Sequence, residues 1–147
     1  ELTAQAIAEL PDAHLVLAAG PLLRQSLPAR EKITVLSGRY PMLDVLPAFD
    51  GAITAAGYNT VHELLYAGVA SALVPFGRIL DDQEKRVQTL AEQGACLSCA
   101  PLTESGLREA IHCLADAGTR RQLAERGRKI VNKNGATAAA KVILELT

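Results

Sequence analysis

The sequence predicts an α/β fold in which a doubly wound parallel sheet carries helices on both faces and is followed by a helical C-terminal layer. Up to residue 99, short apolar runs alternate with amphipathic stretches. The runs are closed by Gly, Pro or polar turns, as buried parallel strands are. After residue 99 only helical patterns follow. Strand and helix patterns that alternate at this spacing are typical of βαβ units, whose strands form a parallel sheet.

The elements of the sheet region follow in chain order from these patterns. The apolar runs predict five strands, at His14–Ala19, Ile33–Leu36, Ala52–Ala55, Ala72–Val74 and Ala95–Cys99. The amphipathic stretches predict four helices, at Leu2–Leu10, Met42–Phe49, Thr60–Ala67 and Asp82–Gln93. The prolines at positions 21, 28 and 41 mark loops rather than a domain boundary.

Three further helices are predicted for the C-terminal layer. Thr103 is expected to cap a helix whose apolar positions share one face, at Leu107, Ile111 and Leu114. Thr119 and Gln122 form a capping-box pattern for a second helix. Gly135 precedes a last helix over residues 136–146.

Length and charge exclude several classes of protein. The 147 residues make one domain, which buries about two thirds of the surface its unfolded chain exposes, so the chain as a whole is not disordered. A formal net charge of -1 gives no electrostatic case for binding nucleic acid. The sequence shows neither an apolar run of the roughly 18 residues that span a bilayer nor a signal peptide. The chain is therefore predicted to be cytoplasmic.

The cysteines at positions 96, 99 and 113 include one CxxC spacing. Cys96 and Cys99 lie in a predicted strand, where positions i and i+3 point to opposite faces and do not readily share a metal or a disulfide. Buried structural thiols are the prediction, with a redox or zinc site as the alternative. We expect no metal site.

A first segment, residues 55–63, follows the third predicted strand and has the pattern of an anion site. Gly57 permits close backbone approach, and the amides of Tyr58, Asn59 and Thr60 are expected where a helix begins. Thr60 and Glu63 also form a capping-box pattern. The alternative for the bare pattern is an ordinary capped helix after a strand.

A second segment, residues 74–86, follows the fourth predicted strand. Asp81 or Asp82 is the expected N-cap of the next helix, and the Asp82 and Gln83 side chains offer acceptors and donors that suit a ligand with vicinal hydroxyls. A plain N-cap is the alternative. The two segments are expected side by side at one edge of the sheet, where open α/β sheets bind ligands.

The stretch FDGAITAAGYNTVHELL at residues 49–65, continued by AGV at 67–69 and LVPF at 73–76, resembles the donor half of GT-B glycosyltransferases. It is most similar to the family 28 C-terminal domain, a family that includes the transferase adding N-acetylglucosamine to lipid-linked peptidoglycan precursors. Asp82 and Gln83 stand where this superfamily has its DQ pair. The resemblance covers residues 14–146 and implies a Rossmann-like parallel sheet, the C-terminal half of a GT-B fold.

The resemblance also implies roles for particular positions. Amides of the first segment would hold the diphosphate of a UDP-sugar donor, Glu63 the ribose, and the Asp82–Gln83 pair the transferred sugar. The loop after the second predicted strand would contact uracil, largely through backbone groups. The implied donor-binding set is Gly38, Arg39, Gly57, Tyr58, Asn59, Thr60, Glu63, Asp82 and Gln83. The UDP-sugar is a substrate, so no cofactor is implied.

The chain departs from the family pattern at several places. It has Ala70 where Pro is usual and Arg86–Val87 where Asn-Ala is usual. It begins at Glu1, already inside the first helix, so the resemblance implies that residues 1–147 are a donor-binding fragment without its first, central strand and its N-terminal acceptor domain. That missing domain supplies the catalytic base where relatives have one. Catalytic residues therefore stay unassigned, and His62 is expected to be structural.

The expected function is transfer of a hexose or N-acetylhexosamine from a UDP-sugar to an acceptor hydroxyl, with this domain inactive alone. The alternatives are a nucleotide-sugar hydrolase or epimerase, and a non-catalytic donor subunit paired with a separate acceptor chain. Six of the 15 cations lie within residues 120–133. They are interpreted as a solvated helix face. The alternative is a contact with anionic lipid headgroups or with a lipid-phosphate acceptor, peripheral at the inner membrane surface.

Overall fold

The computed structural model describes residues 2–20 and 31–146, so Pro21 and Pro28 lie outside the described residues. Five strands are present in this part: β1 (Leu15–Ala19), β2 (Ile33–Ser37), β3 (Gly51–Ala55), β4 (Ala70–Val74) and β5 (Leu97–Ser98). The helices are α1 (Leu2–Ala8), α2 (Tyr58–Ala67), α3 (Gln83–Glu92), α4 (Glu104–Ala115), α5 (Ala117–Ile130) and α6 (Ala136–Glu145). The predicted alternation and the helical C-terminal layer are confirmed.

The strands are parallel but form two sheets. β1 pairs with β2, with Leu15 opposite Ile33. The second sheet has the order β3-β4-β5, with Gly51 opposite Ala70. Within residues 2–20 and 31–146 no strand of the first sheet pairs with a strand of the second. β1 and β3 each have one partner, β2 and β4 respectively. The predicted sheet is thus divided between its second and third predicted strands.

Helices cover both faces of the three-stranded sheet. All five residues of β4 are buried, and neighbouring side chains point to opposite sides. Leu73 packs in one apolar cluster, to which α2 and α3 contribute Val61, Leu64, Leu65, Val87 and Leu90. Ala72 and Val74 pack in a second cluster, to which α4 and α5 contribute Ala110, Leu114 and Leu123. This arrangement is the predicted layering.

The two CxxC cysteines lie in these different clusters, as predicted, although β5 is shorter than the predicted strand and both cysteines lie just outside it. Cys96 belongs to the first cluster and Cys99 to the second, and both thiols are free and buried. Burial raises the pKa of the Cys96 thiol to about 12, so this thiol is protonated and unreactive at neutral pH. In the described part of the chain, no three His, Cys, Asp or Glu residues are placed to hold a metal.

Three of the four arginines of α5 cap other helices. Arg120 donates to the carbonyls of the last two residues of α4, at 2.8 and 2.7 Å. Arg126 donates to the carbonyl of Gln93 after α3, at 3.3 Å, and Arg128 to that of Ala67, the last residue of α2, at 3.2 Å. The last carbonyls of a helix lack backbone partners and carry partial negative charge, so a guanidinium there is stabilising. Three of the six cations in residues 120–133, which we call the basic run, therefore stabilise helix ends.

Two glycines make room for these arginines. Gly68 and Gly94 follow the ends of α2 and α3 in the left-handed conformation, with φ of 69° and 65°. A Cβ at Gly68 would lie 2.0 Å from Arg128, and one at Gly94 would lie 2.2 Å from Arg126. Both positions therefore favour glycine for their conformation, and a larger residue would also displace the arginine that caps the helix.

Two local predictions outside the first and second segments were wrong. The stretch predicted as a helix over Met42–Phe49 holds only a short 3-10 helix, Leu46–Ala48, because Pro47 lacks an N–H and disfavours helical geometry in the residue before it. α5 begins before Thr119, because the Asp116 carboxylate accepts from the Thr119 amide at 2.6 Å and so caps the helix.

No helix in the described ranges is long and apolar enough to cross a membrane.

Candidate functional site

The start of α2 presents three backbone amides without acceptors. β3 ends at Ala55, and Gly57 is the N-cap, with φ of -63° and ψ of 144°. Within residues 2–20 and 31–146 no side chain or carbonyl accepts from the N–H groups of Tyr58, Asn59 or Thr60. A Cβ at Gly57 would meet nothing within 4 Å. Unpaired N–H groups beside open space are the arrangement that binds anions at helix N-termini.

The predicted capping box at Thr60 and Glu63 is wrong. α2 begins at Tyr58, so Thr60 is its third residue and cannot be the N-cap that the box requires. The Glu63 carboxylate is therefore not engaged with the helix start. It is partly exposed and forms no hydrogen bond or ion pair with any residue that the structure describes.

His62 has a local structural role, as expected. Its Nδ1 donates to the carbonyl oxygen of Tyr58 at 2.8 Å. The two rings lie 4.0 Å apart between centroids, with an interplanar angle of 30°. This contact orients Tyr58, which is 59% exposed, at the first turn of α2.

The second segment uses its polar side chains internally. The Asp82 carboxylate accepts from the Lys85 amide at 3.0 Å, so Asp82 rather than Asp81 is the N-cap of α3. Gln83 is only 6% exposed. Its amide oxygen accepts from the Phe76 backbone N–H at 3.0 Å, and its amide nitrogen donates to Asp81, also at 3.0 Å.

Arg86 joins the two segments. Its guanidinium donates to the carbonyl of Ala56 at 2.7 Å and forms an ion pair with Asp81. The same group lies 5.3 Å from the centroid of the Tyr58 ring, within cation–π distance. Hydrogen bonds from Arg86 and then Gln83 hold the pKa of the Asp81 carboxyl below its usual value. The predicted side-by-side placement of the segments is confirmed.

Sequence reasoning noticed Arg86 only as a departure from the family pattern. Its partner Ala56 lies 30 residues away and contributes a backbone carbonyl, which no side-chain pattern reveals. The spacing of Asp81 and Arg86, five residues apart across a helix start, was the one available signal.

Gly38 and Arg39 lie in the loop after β2. Gly38 has φ of 68°, and Arg39 forms an ion pair with Asp44. Both residues are exposed. No hydrogen bond or ion pair in the described ranges links them to the start of α2 or of α3. The structure thus brings together the first and second segments of the implied donor site, and it shows no hydrogen bond or ion pair between them and the loop at Gly38 and Arg39 among the described residues.

A family model settles the relationship of the chain to known proteins. Residues 12–143 match the model described as the glycosyltransferase family 28 C-terminal domain. The chain belongs to this family. The family 28 domain is 31% identical, over 140 residues, to a protein of Cellvibrio japonicus (strain Ueda107). That relative is named UDP-N-acetylglucosamine--N-acetylmuramyl-(pentapeptide) pyrophosphoryl-undecaprenol N-acetylglucosamine transferase. The match covers 91% of this chain and 37% of the relative, so the chain spans well under half of that protein.

Solved structures show the same fold. The family 28 domain matches the glycosyltransferase SnogD from Streptomyces nogalater with a TM-score of 0.75 and 23% identity, covering 100% of this chain and 39% of that one. It matches MurG of Acinetobacter baumannii with a TM-score of 0.68 and 19% identity, covering 100% and 54% of the two chains. The predicted fold class, the C-terminal half of a GT-B glycosyltransferase, is confirmed.

Proposed function

We propose that the family 28 domain binds a UDP-sugar and presents it for transfer of a hexose or N-acetylhexosamine to an acceptor hydroxyl. The observation that carries this proposal is the start of α2, where three amides with no acceptor among the described residues lie beside the open space at Gly57. The name of the Cellvibrio relative, which specifies UDP-N-acetylglucosamine, supports a UDP-sugar as donor.

In this proposal the amides of Tyr58, Asn59 and Thr60 hold the donor diphosphate. When the bond between the sugar and the diphosphate breaks, negative charge grows on the leaving diphosphate. Fixed N–H groups and the positive end of the helix dipole stabilise that charge more in the transition state than in the bound donor. The same groups therefore serve binding and departure of the leaving group.

Glu63 is proposed to accept hydrogen bonds from the ribose hydroxyls. It lies on α2 just past the first turn, and its carboxylate has no partner among the described residues. A carboxylate that accepts from a ribose diol is the usual way in which α/β nucleotide-binding folds recognise this ring. The backbone around Gly38 and Arg39 is proposed to contact uracil, as the family resemblance implies.

Asp82 and Gln83 are proposed to contact the transferred sugar. One carboxylate oxygen of Asp82 caps α3, which leaves the second oxygen for a sugar hydroxyl. Gln83 uses one hydrogen of its amide nitrogen on Asp81 and one lone pair of its amide oxygen on the Phe76 amide. The second hydrogen of the amide nitrogen and the second lone pair of the amide oxygen are then available to bond a ligand.

We propose that an acceptor domain completes the enzyme and that the domain described here is inactive without it. Two features support further polypeptide against this domain. β1 and β3 each leave one edge unpaired among the described strands. α6 buries none of its residues, and its Val142 and Ile143 are 57% and 62% exposed. We propose a cytoplasmic location, peripheral at the inner membrane surface, with the exposed cations Arg121, Lys129 and Lys133 available to anionic lipid.

The test is calorimetric titration of the chain with UDP. Glu63→Ala is expected to weaken binding by roughly 1 to 3 kcal/mol, the loss typical of a charged hydrogen bond. Glu84→Ala is the matched control, because Glu84 is an exposed carboxylate in the first turn of the neighbouring helix α3. Equal losses in the two variants would contradict the ribose role of Glu63. Equal affinities for UDP, CDP and AMP would contradict the uridine part of the proposal.

A further inference from the structure

We propose that Arg86 is a positioning residue that fixes the two segments against each other and thereby couples binding of the diphosphate to binding of the sugar. The inference rests on the proposed function and deepens it, since it concerns how the two halves of the same site act together. It is based on the contacts of the Arg86 guanidinium and on the chain of hydrogen bonds that leads from it through Asp81 and Gln83.

On the side of the first segment, Arg86 holds the backbone just before the anion-binding amides. Its Nη1 donates to the carbonyl of Ala56 at 2.7 Å, and Ala56 itself is fully buried. The guanidinium also lies against the Tyr58 ring, 5.3 Å from its centroid. Gly57 stands between these two contacts, so one side chain bonds the peptide before the N-cap and lies against the side chain that follows it.

On the side of the second segment, Arg86 starts a relay of three polar groups. Its Nη2 forms the ion pair with Asp81, and the second oxygen of that carboxylate accepts from Gln83. Gln83 in turn accepts from the Phe76 amide at 3.0 Å. The relay spans the loop from the end of β4 to the start of α3 and holds the Asp82–Gln83 pair in one orientation.

The relay needs an arginine. The guanidinium offers several N–H donors in a rigid planar fork, so it can reach a carbonyl and a carboxylate at once while stacking on a ring. The Arg86 side chain is 17% exposed, which shields the ion pair from water more than a surface pair. A lysine at this position keeps the charge but lacks the planar fork, so we expect it to replace the contacts of Arg86 only in part.

The experiment compares Arg86→Met and Arg86→Lys with the matched control Arg78→Met. Arg78 is an exposed cation of the same segment, and no hydrogen bond or ion pair involves it in the described residues. Affinities for UDP and for UDP-N-acetylglucosamine are measured by calorimetry. Exchange of the Phe76 amide hydrogen is followed by NMR without nucleotide. Arg86→Met is expected to weaken binding of the UDP-sugar by at least about tenfold and binding of UDP by a smaller factor.

Arg86→Met is also expected to speed exchange of the Phe76 amide, because Gln83 loses its anchored partner. Arg86→Lys should recover part of both effects, and Arg78→Met should show neither. Equal losses of affinity for UDP and the UDP-sugar would overturn the coupling, and so would unchanged exchange at Phe76. If the unmodified chain binds no nucleotide, the proposed function fails, while the exchange measurement still decides whether Arg86 orders the second segment.

Discussion

α2 and α3 are two helices of equal length whose N-termini are built in opposite ways. Each has ten residues, and they follow the neighbouring parallel strands β3 and β4. α3 carries its own negative charge, because Asp82 caps the first turn and Glu84 lies within it. α2 begins at Gly57 with no side-chain cap and no acidic residue in its first turn.

This difference separates a structural helix start from one that is open to a ligand. Both helix ends carry partial positive charge and unpaired N–H groups. In α3 the chain satisfies two of them, because the Gln83 amide donates to the Asp81 carbonyl and the Lys85 amide to the Asp82 carboxylate, and the carboxylate at that end disfavours an external anion. In α2 they stay available, and a glycine N-cap costs only a few tenths of a kcal/mol relative to a capping side chain. The open start of α2 therefore lowers the free energy of unfolding only slightly.

The largest effect is expected when α2 is given the acidic N-cap that α3 has. Gly57→Asp is expected to weaken UDP binding by about thirtyfold or more, roughly 2 kcal/mol, since its carboxylate would occupy the amides and repel the diphosphate. The backbone at Gly57 is extended, with φ of -63°, so aspartate fits without strain. Thermal unfolding should show a midpoint unchanged or slightly raised, while calorimetry shows the loss of binding.

Gly77→Asp is the control for this variant. A Cβ at Gly77 in the second segment also meets nothing within 4 Å, so the substitution adds the same charge nearby without occupying a helix start. UDP binding that falls equally in both variants would mean that general repulsion, rather than the open start of α2, governs affinity.

A smaller effect is expected on stability when the cap of α3 is removed. Asp82→Ala should lower the free energy of unfolding by about 1 kcal/mol, because the Lys85 amide loses its acceptor. Thr60→Ala should change it by less than about 0.5 kcal/mol, since Thr60 caps nothing. Urea unfolding without nucleotide measures both. A cost at Thr60 as large as that at Asp82 would contradict the different capping of the two helices.

The same two helices show what the sequence can and cannot predict. The capping residue of α3 was predictable because an N-cap depends on local spacing, and the aspartates at 81 and 82 were the candidates. The start of α2 was misplaced by two residues, because glycine has no side chain to signal an N-cap and the Thr60–Glu63 pattern imitated one. The unpaired amides at the start of α2 were nevertheless predictable, since they are backbone groups that follow a strand and a glycine.

Contacts between distant parts of the chain could not be predicted from local patterns. The partners of Arg86, Arg126 and Arg128 include backbone carbonyls 30, 33 and 61 residues away, and any residue type offers a carbonyl. The basic run therefore resembled a solvated face in sequence, although three of its arginines cap helices. The fold class was predictable because it depends on periodicity summed over many residues, which single contacts do not alter.

The smallest effects are expected at the C-termini of α2 and α3, where the two helices are alike. Each C-terminus follows the same plan: a left-handed glycine, and an arginine of α5 donating to a terminal carbonyl. Arg128→Ala and Arg126→Ala should therefore each lower the free energy of unfolding by about 0.5 kcal/mol, the size of a cation at an exposed helix C-terminus. The double variant should lose about 1 kcal/mol, because separate sites act additively. Arg121→Ala, which removes an exposed cation with no carbonyl partner among the described residues, should leave urea unfolding unchanged. Clearly unequal losses at the two caps would contradict the likeness of the two C-termini.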